Sequence, residues 1–225
     1  FAEQEKNDFA RRIKEYMLKA CREAKVHTDW INQNQDYETA VLNFVDAVLD
    51  PKEDNPFWES FLTFQQEIAF FAIFNSLAQV LIKMTVPGVP DFYQGTELWH
   101  FCLVDPDNRG PVDFSLRNKM LQEIKQRADQ DQLKLLDQLL DTKENGQLKL
   151  FLIHQVQKIR NQEIELFKSG TYEPLRVSGS LQRHIIAYAR QNAGSWVLCL
   201  VPRFLTDIMS QDELPLGEAV WQDTA

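Results

Sequence analysis

The sequence predicts a mostly helical α+β fragment that contains the last strand of a (β/α)8 barrel, followed by helices and a partial antiparallel β domain. Three observations support this prediction. Apolar residues recur at helical spacing over most of the first 170 residues. A long apolar run breaks at Pro87-Gly88 and leads into a short segment that ends in polar residues. From Tyr172 onward, the apolar residues fall in short strand-like runs.

Three helices are predicted before the barrel strand. The first carries apolar residues at helical spacing from Phe9 to Ala24, and the second runs from about Asp36 to Leu49. Pro51 and Pro56 bound the loop that follows, and the third helix runs from about Trp58 to Met84.

The third helix is long enough to suggest a membrane span, but polar residues interrupt it, among them Gln65, Glu67 and Lys83. We therefore predict a helix that packs on a sheet, without membrane contact. Its aromatic residues lie on several sides, which predicts burial on more than one face.

The predicted barrel strand follows this helix, and the run 86–99 reads Val-Pro-Gly-Val-Pro-Asp-Phe-Tyr-Gln-Gly-Thr-Glu-Leu-Trp. In α/β barrels the carboxyl ends of the strands carry the substrate contacts. We therefore predict that four polar side chains here bind substrate: Asp91, Tyr93, Gln94 and Glu97. Among the aromatic residues, Tyr93, Trp99 and Trp30 are candidates for stacking on a sugar ring.

A charged loop comes next, and the run 103–114 reads Leu-Val-Asp-Pro-Asp-Asn-Arg-Gly-Pro-Val-Asp-Phe. It resembles a calcium loop only superficially, because Arg109 and Leu116 occupy the fifth and twelfth positions, where oxygen ligands are needed. No metal site is predicted. We expect Arg109 to pair with Asp105 or Asp113, to anchor the loop, and together with Asp105 to form part of the substrate rim.

More helices and a small sheet are predicted after this loop. Ser115 is the candidate N-cap of one helix, a leucine-rich helix spans 133–140, and another runs from Gln147 to about Lys168 with Gly170 as its C-cap. A turn at 192–194 joins two strands of the final sheet. The predicted domains are residues 1–114 (the carboxyl-terminal part of a barrel), 115–171 (helical) and 172–225 (partial β domain).

Composition limits the functional class. The chain has 225 residues, 44% of them hydrophobic, and a formal net charge of −9. This composition excludes a disordered chain, and the acidic balance argues against a nucleic-acid partner. Three widely spaced cysteines, no C-x-x-C motif and no signal peptide favour a cytoplasmic protein with reduced thiols. Because residue 1 is Phe, we expect an excised fragment.

Together, the runs 86–99 and 103–114 resemble the maltooligosyltrehalose synthase family of the α-amylase superfamily. Segments 16–30 and 165–175 are also similar to this family, so the resemblance covers nearly the whole chain. Two positions depart from the family pattern: Gly110 stands where arginine is usual, and His100 where an acidic residue is common.

The resemblance implies a role in trehalose biosynthesis. Family members are intramolecular transglucosylases that convert the reducing-end α-1,4 linkage of a maltooligosaccharide into an α,α-1,1 linkage. In them the catalytic carboxylates lie earlier in the chain, and none matches a position here. The resemblance therefore implies that this fragment has no catalytic residue of its own, needs no cofactor and is inactive alone, although its parent binds an α-glucan.

Three alternatives stay open from the residues. In the first, the chain is a stand-alone helical binding or scaffold protein. In the second, it is a part of another α-amylase-superfamily glycosidase. In the third, it is a small hydrolase that uses Asp91 and Glu97 as its carboxylate pair.

Overall fold

The computed structural model describes residues 3–50, 55–105 and 107–224 of the chain. Pro51, in the loop before the third predicted helix, and Pro106, in the run 103–114, lie outside these residues. The described helices are α1 (Glu3–Ala24), α2 (Gln35–Val48), α3 (Pro56–Thr85), α4 (Phe114–Gln130), α5 (Gln132–Asp141), α6 (Gln147–Gln162), α7 (Ile164–Ser169) and α8 (Glu218–Trp221). The strands are β1 (Thr171–Pro174), β2 (Ile185–Asn192) and β3 (Ser195–Pro202). The mostly helical composition with a small antiparallel sheet is thus confirmed.

The chain folds into two compact units. One contains residues 1–66 and 101–111, and the other contains residues 67–100 and 112–225. The three-part division predicted from the sequence, at 114 and 171, stays a prediction.

In the first unit, an ion pair connects α1 and α2. The Arg22 guanidinium donates to both carboxylate oxygens of Glu38, at 2.9 and 2.6 Å, and the Thr28 hydroxyl donates to the same carboxylate at 2.7 Å. These bonds lower the pKa of Glu38 to about 2. A second pair, Lys14 with Asp46 at 2.8 Å, lies at an exposed position. The buried carboxylate of α2 is therefore fully hydrogen-bonded, as its burial requires.

In the second unit, the carboxyl-terminal half of α3 is the central element. Ala78 packs with Tyr188, Cys199 and Val201 of the sheet, whereas Val80 and Met84 pack with Val156 of α6. This half of the helix is buried on two sides and packs on a sheet, as the sequence predicts.

The sheet has the order β1-β2-β3, and both pairs are antiparallel. The β2–β3 hairpin closes with Asn192 opposite Ser195, so the predicted turn at 192–194 is confirmed. Ala193 and Gly194 both have positive φ, at 47° and 91°, as a tight hairpin turn requires.

Two helix boundaries differ from the prediction. Asp113, not Ser115, is the N-cap of α4, and its side chain accepts a hydrogen bond from the Leu116 amide at 2.8 Å. Asp and Ser make the same capping bond, so residue type alone does not distinguish Asp113 from Ser115, two positions later. The predicted helix 147–168 breaks at Glu163 into α6 and α7, and no glycine or proline marks that break.

The predicted barrel strand is not formed in this structure. None of the three described strands includes residues 86–93, and the chain there is irregular up to the turn after Tyr93. A strand exists only when its N–H and C=O groups bond to a neighbouring strand, and no described segment offers that pairing.

Of the described residues, one helix is long and apolar enough to cross a bilayer, by length and composition alone. It is α3, whose most apolar window has a mean hydropathy of 1.6 and is 33% buried. Among its exposed residues is an apolar stripe, defined by Phe57, Phe64 and Ile68, which are 48%, 61% and 51% exposed. Their spacing places them along one helix face.

We expect the isolated chain to self-associate or to bind a hydrophobic dye through this stripe, because exposed apolar patches of this kind favour association. Static light scattering across a concentration series tests the expectation. Replacing Phe64 and Ile68 with glutamine should reduce the association. The control is a double substitution at the polar positions Gln65 and Gln66, each replaced with serine. A strictly monomeric chain that binds no dye would contradict the expectation.

Candidate functional site

The segment after α3 forms a compact loop, residues 86–100, which carries four of the six predicted substrate-binding residues. The Tyr93 carbonyl accepts hydrogen bonds from the Thr96 amide at 3.1 Å and from the Thr96 hydroxyl at 2.6 Å, which closes a tight turn. Gly95 lies inside this turn with φ 91°, and a Cβ there would lie 3.2 Å from His100 Nδ1. The turn therefore needs a glycine at this position.

Three of the predicted side chains, Asp91, Tyr93 and Gln94, are exposed on this loop. Tyr93 is 47% exposed, so its ring can accept a sugar face. The loop therefore brings a carboxylate, a phenol and an amide together on one short exposed segment, and each of these groups can hydrogen-bond sugar hydroxyls.

Glu97 differs from the other three because it is bound within the protein. Its carboxylate accepts a hydrogen bond from Arg117 Nε at 3.2 Å, and the Arg117 guanidinium also donates to the Gly95 carbonyl at 2.9 Å and to the Asp113 carbonyl at 3.1 Å. Glu97 thus stabilises the loop in this structure. Its role in substrate binding stays a prediction.

The end of the loop is fixed by a buried lysine. Lys149 is 8% exposed, and its ammonium donates to the Leu98 carbonyl at 3.3 Å and lies 5.3 Å from the centre of the Trp99 ring. Burial lowers the pKa of Lys149, the nearby charge of Lys83 lowers it further, and Glu97 opposes the shift. The Trp99 indole donates to the Lys143 carbonyl at 2.8 Å, so this ring serves the fold rather than a sugar.

The remaining two predicted site residues belong to the other unit. Asp105 and Arg109 form an ion pair there, so one of the two pairings predicted for Arg109 is confirmed. The pair is exposed, with 47% of the Asp105 side chain and 70% of the Arg109 side chain accessible. Because both residues lie in one loop, their pair does not tie that loop to another element.

The anchor of that loop is Asp107, not Arg109 as expected from the sequence. The Arg12 guanidinium of α1 donates to both Asp107 oxygens, at 2.9 and 2.7 Å, and the Leu103 amide donates to Asp107 at 2.7 Å. The Arg12 bonds lower the pKa of Asp107 to about 2. A bidentate pair between two half-buried side chains is well suited to hold a loop on a helix.

Sequence reasoning missed Arg117, Lys149 and Asp107. Lys149 did leave a local signal, because it stands in the otherwise apolar run Leu148–Phe151. Arg12 and Asp107 lie 95 residues apart, and no spacing pattern connects them.

A groove of about 450 Å³ lies beside the start of the loop 86–100, and none of its lining residues is acidic. It is lined by Gly88, Val89, Gln157, Arg160, Asn161, Ile164, Phe167 and Lys168. In the part of the chain that the structure describes, no three His, Cys, Asp or Glu residues lie close enough together to hold a metal ion.

Comparison with known proteins finds similar individual proteins but no matching family profile. No protein-family profile matches the chain. Proteins of two Mycobacterium tuberculosis strains that carry the name maltooligosyl trehalose synthase are 32% identical over 216 residues, which is 94% of this chain. The chain spans about a quarter, 25%, of the length of these relatives.

Solved structures match as well. A crystal structure of a maltooligosyl trehalose synthase is 36% identical, with a TM-score of 0.72, and covers 87% of this chain and 25% of its own. The Arthrobacter ramosus synthase is 28% identical, with a TM-score of 0.70, over 96% of this chain and 25% of its own. A hypothetical synthase of Sulfolobus tokodaii is 34% identical, with a TM-score of 0.68, over 87% of this chain and 24% of its own.

The fold of this chain is thus similar to one segment, about a quarter of the length, of larger proteins named as trehalose synthases. More specifically, the chain is similar over nearly its whole length to maltooligosyltrehalose synthases, and the resemblance inferred from the runs 86–99 and 103–114 is confirmed.

Proposed function

We propose that this chain is the carboxyl-terminal portion of a maltooligosyltrehalose synthase and that the loop 86–99 contributes substrate contacts to it. The parent enzyme would convert the reducing-end α-1,4 linkage of a maltooligosaccharide into an α,α-1,1 linkage. In this proposal the last barrel strand at 89–93 forms only together with the other barrel strands of the parent.

The observation that carries the proposal is the loop itself. Its backbone is held from within the protein, by Arg117 at Gly95 and by Lys149 at Leu98, while Asp91, Tyr93 and Gln94 remain exposed. A rigid backbone with outward polar side chains is the arrangement that substrate positioning requires. The similarity to named synthases over 94% of the chain supports the same assignment.

The chemistry assigns different tasks to different parts of the parent. A retaining transfer uses two carboxyl groups, one on each side of the scissile bond, and we propose that segments other than this chain supply them. The released glucose must stay bound and turn before its anomeric hydroxyl attacks the glycosyl-enzyme, so water must be excluded. We propose that the loop carrying Asp91 lines this enclosure, in a cytoplasmic enzyme that needs no cofactor, nucleic acid or membrane.

We expect the chain alone to be inactive on maltopentaose, because the proposal places the nucleophile and the general acid outside it. The protein translated from the full reading frame should form a trehalosyl-ended, non-reducing product. Reducing sugar and product are measured for both proteins after long incubation, with heat-treated protein as the control.

Two results would contradict the proposal. Turnover by the isolated chain that is lost in Asp91→Asn or Glu97→Gln would identify a small hydrolase. A full-length protein that hydrolyses α-glucan without forming the α,α-1,1 product would identify another glycosidase of the superfamily.

A further inference from the structure

The loop 86–100 begins where α3 ends, and two arginines from other elements bind the last carbonyls of that helix. Arg160 of α6 donates to the Met84 carbonyl at 2.5 Å, and Arg190 of β2 donates to the Thr85 carbonyl at 3.0 Å. The Thr85 hydroxyl lies 2.6 Å from the Tyr188 hydroxyl, also on β2. The helix end is thus fixed by side chains that are distant from it in sequence.

Arg190 is 1% exposed, and its side chain donates to backbone carbonyls. Besides Thr85, it donates to Thr171 at 2.8 Å and to Gly170 at 3.0 Å, and it also contacts the carbonyls of Leu166 and Phe167 at 3.3 Å. The rigid guanidinium fork satisfies five acceptors at once, which a lysine cannot do.

The charge of Arg190 is stabilised by the ends of two helices. Its acceptors include the carboxyl-terminal carbonyls of α3 and α7, where the helix dipole is negative. Arg160 lies 4.7 Å from the centre of the Phe167 ring and lines the groove beside Gly88. Both guanidinium groups therefore bind carbonyls directly before the start of the loop.

We propose that Arg190 and Arg160 are positioning residues that set the direction in which the loop 86–94 leaves α3, and so place Asp91, Tyr93 and Gln94 for substrate. The connection is short, because only five residues, 86–90, separate the bound Thr85 carbonyl from Asp91. The substrate part of this inference rests on the proposed function, whereas the positioning part concerns this chain alone.

The positioning part is tested on the isolated chain by NMR. Backbone amide order parameters of the non-proline residues of 86–94 should fall from about 0.85 to below about 0.6 in Arg160→Met and in Arg190→Met. Arg160 is half-buried and makes one backbone bond, so Arg160→Met should leave the β2–β3 sheet folded even if Arg190→Met does not fold. The control is Arg203→Met, which removes an exposed arginine–carbonyl bond away from the loop, to Arg183 at 2.7 Å. Unchanged order parameters in folded Arg160→Met would overturn the inference.

The substrate part is tested in the full-length protein. Arg160→Met should raise KM for maltopentaose about tenfold or more with a smaller change in kcat, because the contacts are misplaced while the catalytic carboxylates are not. Arg160→Lys, which keeps a donor, should restore most of the loss. A loosened loop with unchanged KM would overturn the substrate part. Absence of trehalosyl product from the unmutated protein would instead refute the proposed function and leave the positioning result standing.

Discussion

Replacing Gly170 with alanine is expected to lower the free energy of unfolding by about 3 kcal/mol, as for overpacking at a site that cannot relax. A Cβ at this position would lie 2.2 Å from the Leu166 carbonyl oxygen and 3.0 Å from the Gln191 carbonyl oxygen. Both are backbone atoms, so neither can rotate away as a flexible side chain would. Gly170 also offers its carbonyl to Arg190, and β1 begins at the next residue. The strain therefore reaches the sheet.

Urea unfolding followed by circular dichroism measures the effect, and Gly110→Ala is the matched control. At Gly110 the nearest atom to a new Cβ is 4.0 Å away, so that substitution should change stability by less than about 0.5 kcal/mol. Equal midpoints for the two variants would show that the close approach at Gly170 is not rigid.

Gly170 also illustrates what the sequence predicts and what it does not. The sequence correctly predicts a helix C-cap at this glycine, on the general preference for glycine in the left-handed conformation there. In the structure its φ is −67°, which any residue can adopt. Glycine is needed here because of its neighbours Leu166 and Gln191, and that reason becomes visible only once the sheet is placed against α7.

The same distinction applies to the fold. Helices α1, α2 and α3 and the β2–β3 hairpin follow from spacing and turn residues, which are local signals. The strand predicted after Pro87 depends on neighbouring strands, and no local pattern guarantees them. The break of the helix at Glu163 follows from packing rather than from a helix-breaking residue.

For the candidate site, the sequence predicts the exposed residues better than the residues that support them. Polar residues at the end of an apolar segment predict a binding surface at Asp91, Tyr93 and Gln94, and these side chains are exposed. Their supports are Arg117, which lies 22 residues beyond Gly95, and Lys149, which lies 51 residues beyond Leu98. Contacts over such separations have no period, so only the folded chain reveals them.

Asp107→Asn is expected to destabilise the unit that contains α1 by about 2 kcal/mol near neutral pH, the size typical of hydrogen bonds to a charged group. The side chains of Arg12 and Asp107 are only 25% and 21% exposed, so the substitution leaves the guanidinium partly buried without its counter-charge. One amide hydrogen-bond donor would also face the Arg12 donors. The loop 101–110 should then separate from α1.

The matched control is Arg109→Gln in the same loop. Its ion pair with Asp105 is mostly exposed, so the loss should stay below about 0.5 kcal/mol. A double-mutant cycle with Arg12→Gln isolates the pair energy, and a coupling near zero would contradict the anchoring role of Asp107.

The pH dependence gives an independent test with a defined sign. Arg12 holds the pKa of Asp107 at about 2 in the folded chain, below its usual value of 3.8. The folded state therefore binds this proton less readily than the unfolded state, and the contribution is fully present above pH 3.8 and is lost as the pH falls towards 2. The stability difference between the unmutated chain and Asp107→Asn should stay constant from neutral pH down to about pH 4 and then shrink towards zero near pH 2. A difference that persists undiminished at the lowest pH would mean that Asp107 acts through its shape and not through its charge. In that case the loop would be held to α1 mainly by packing.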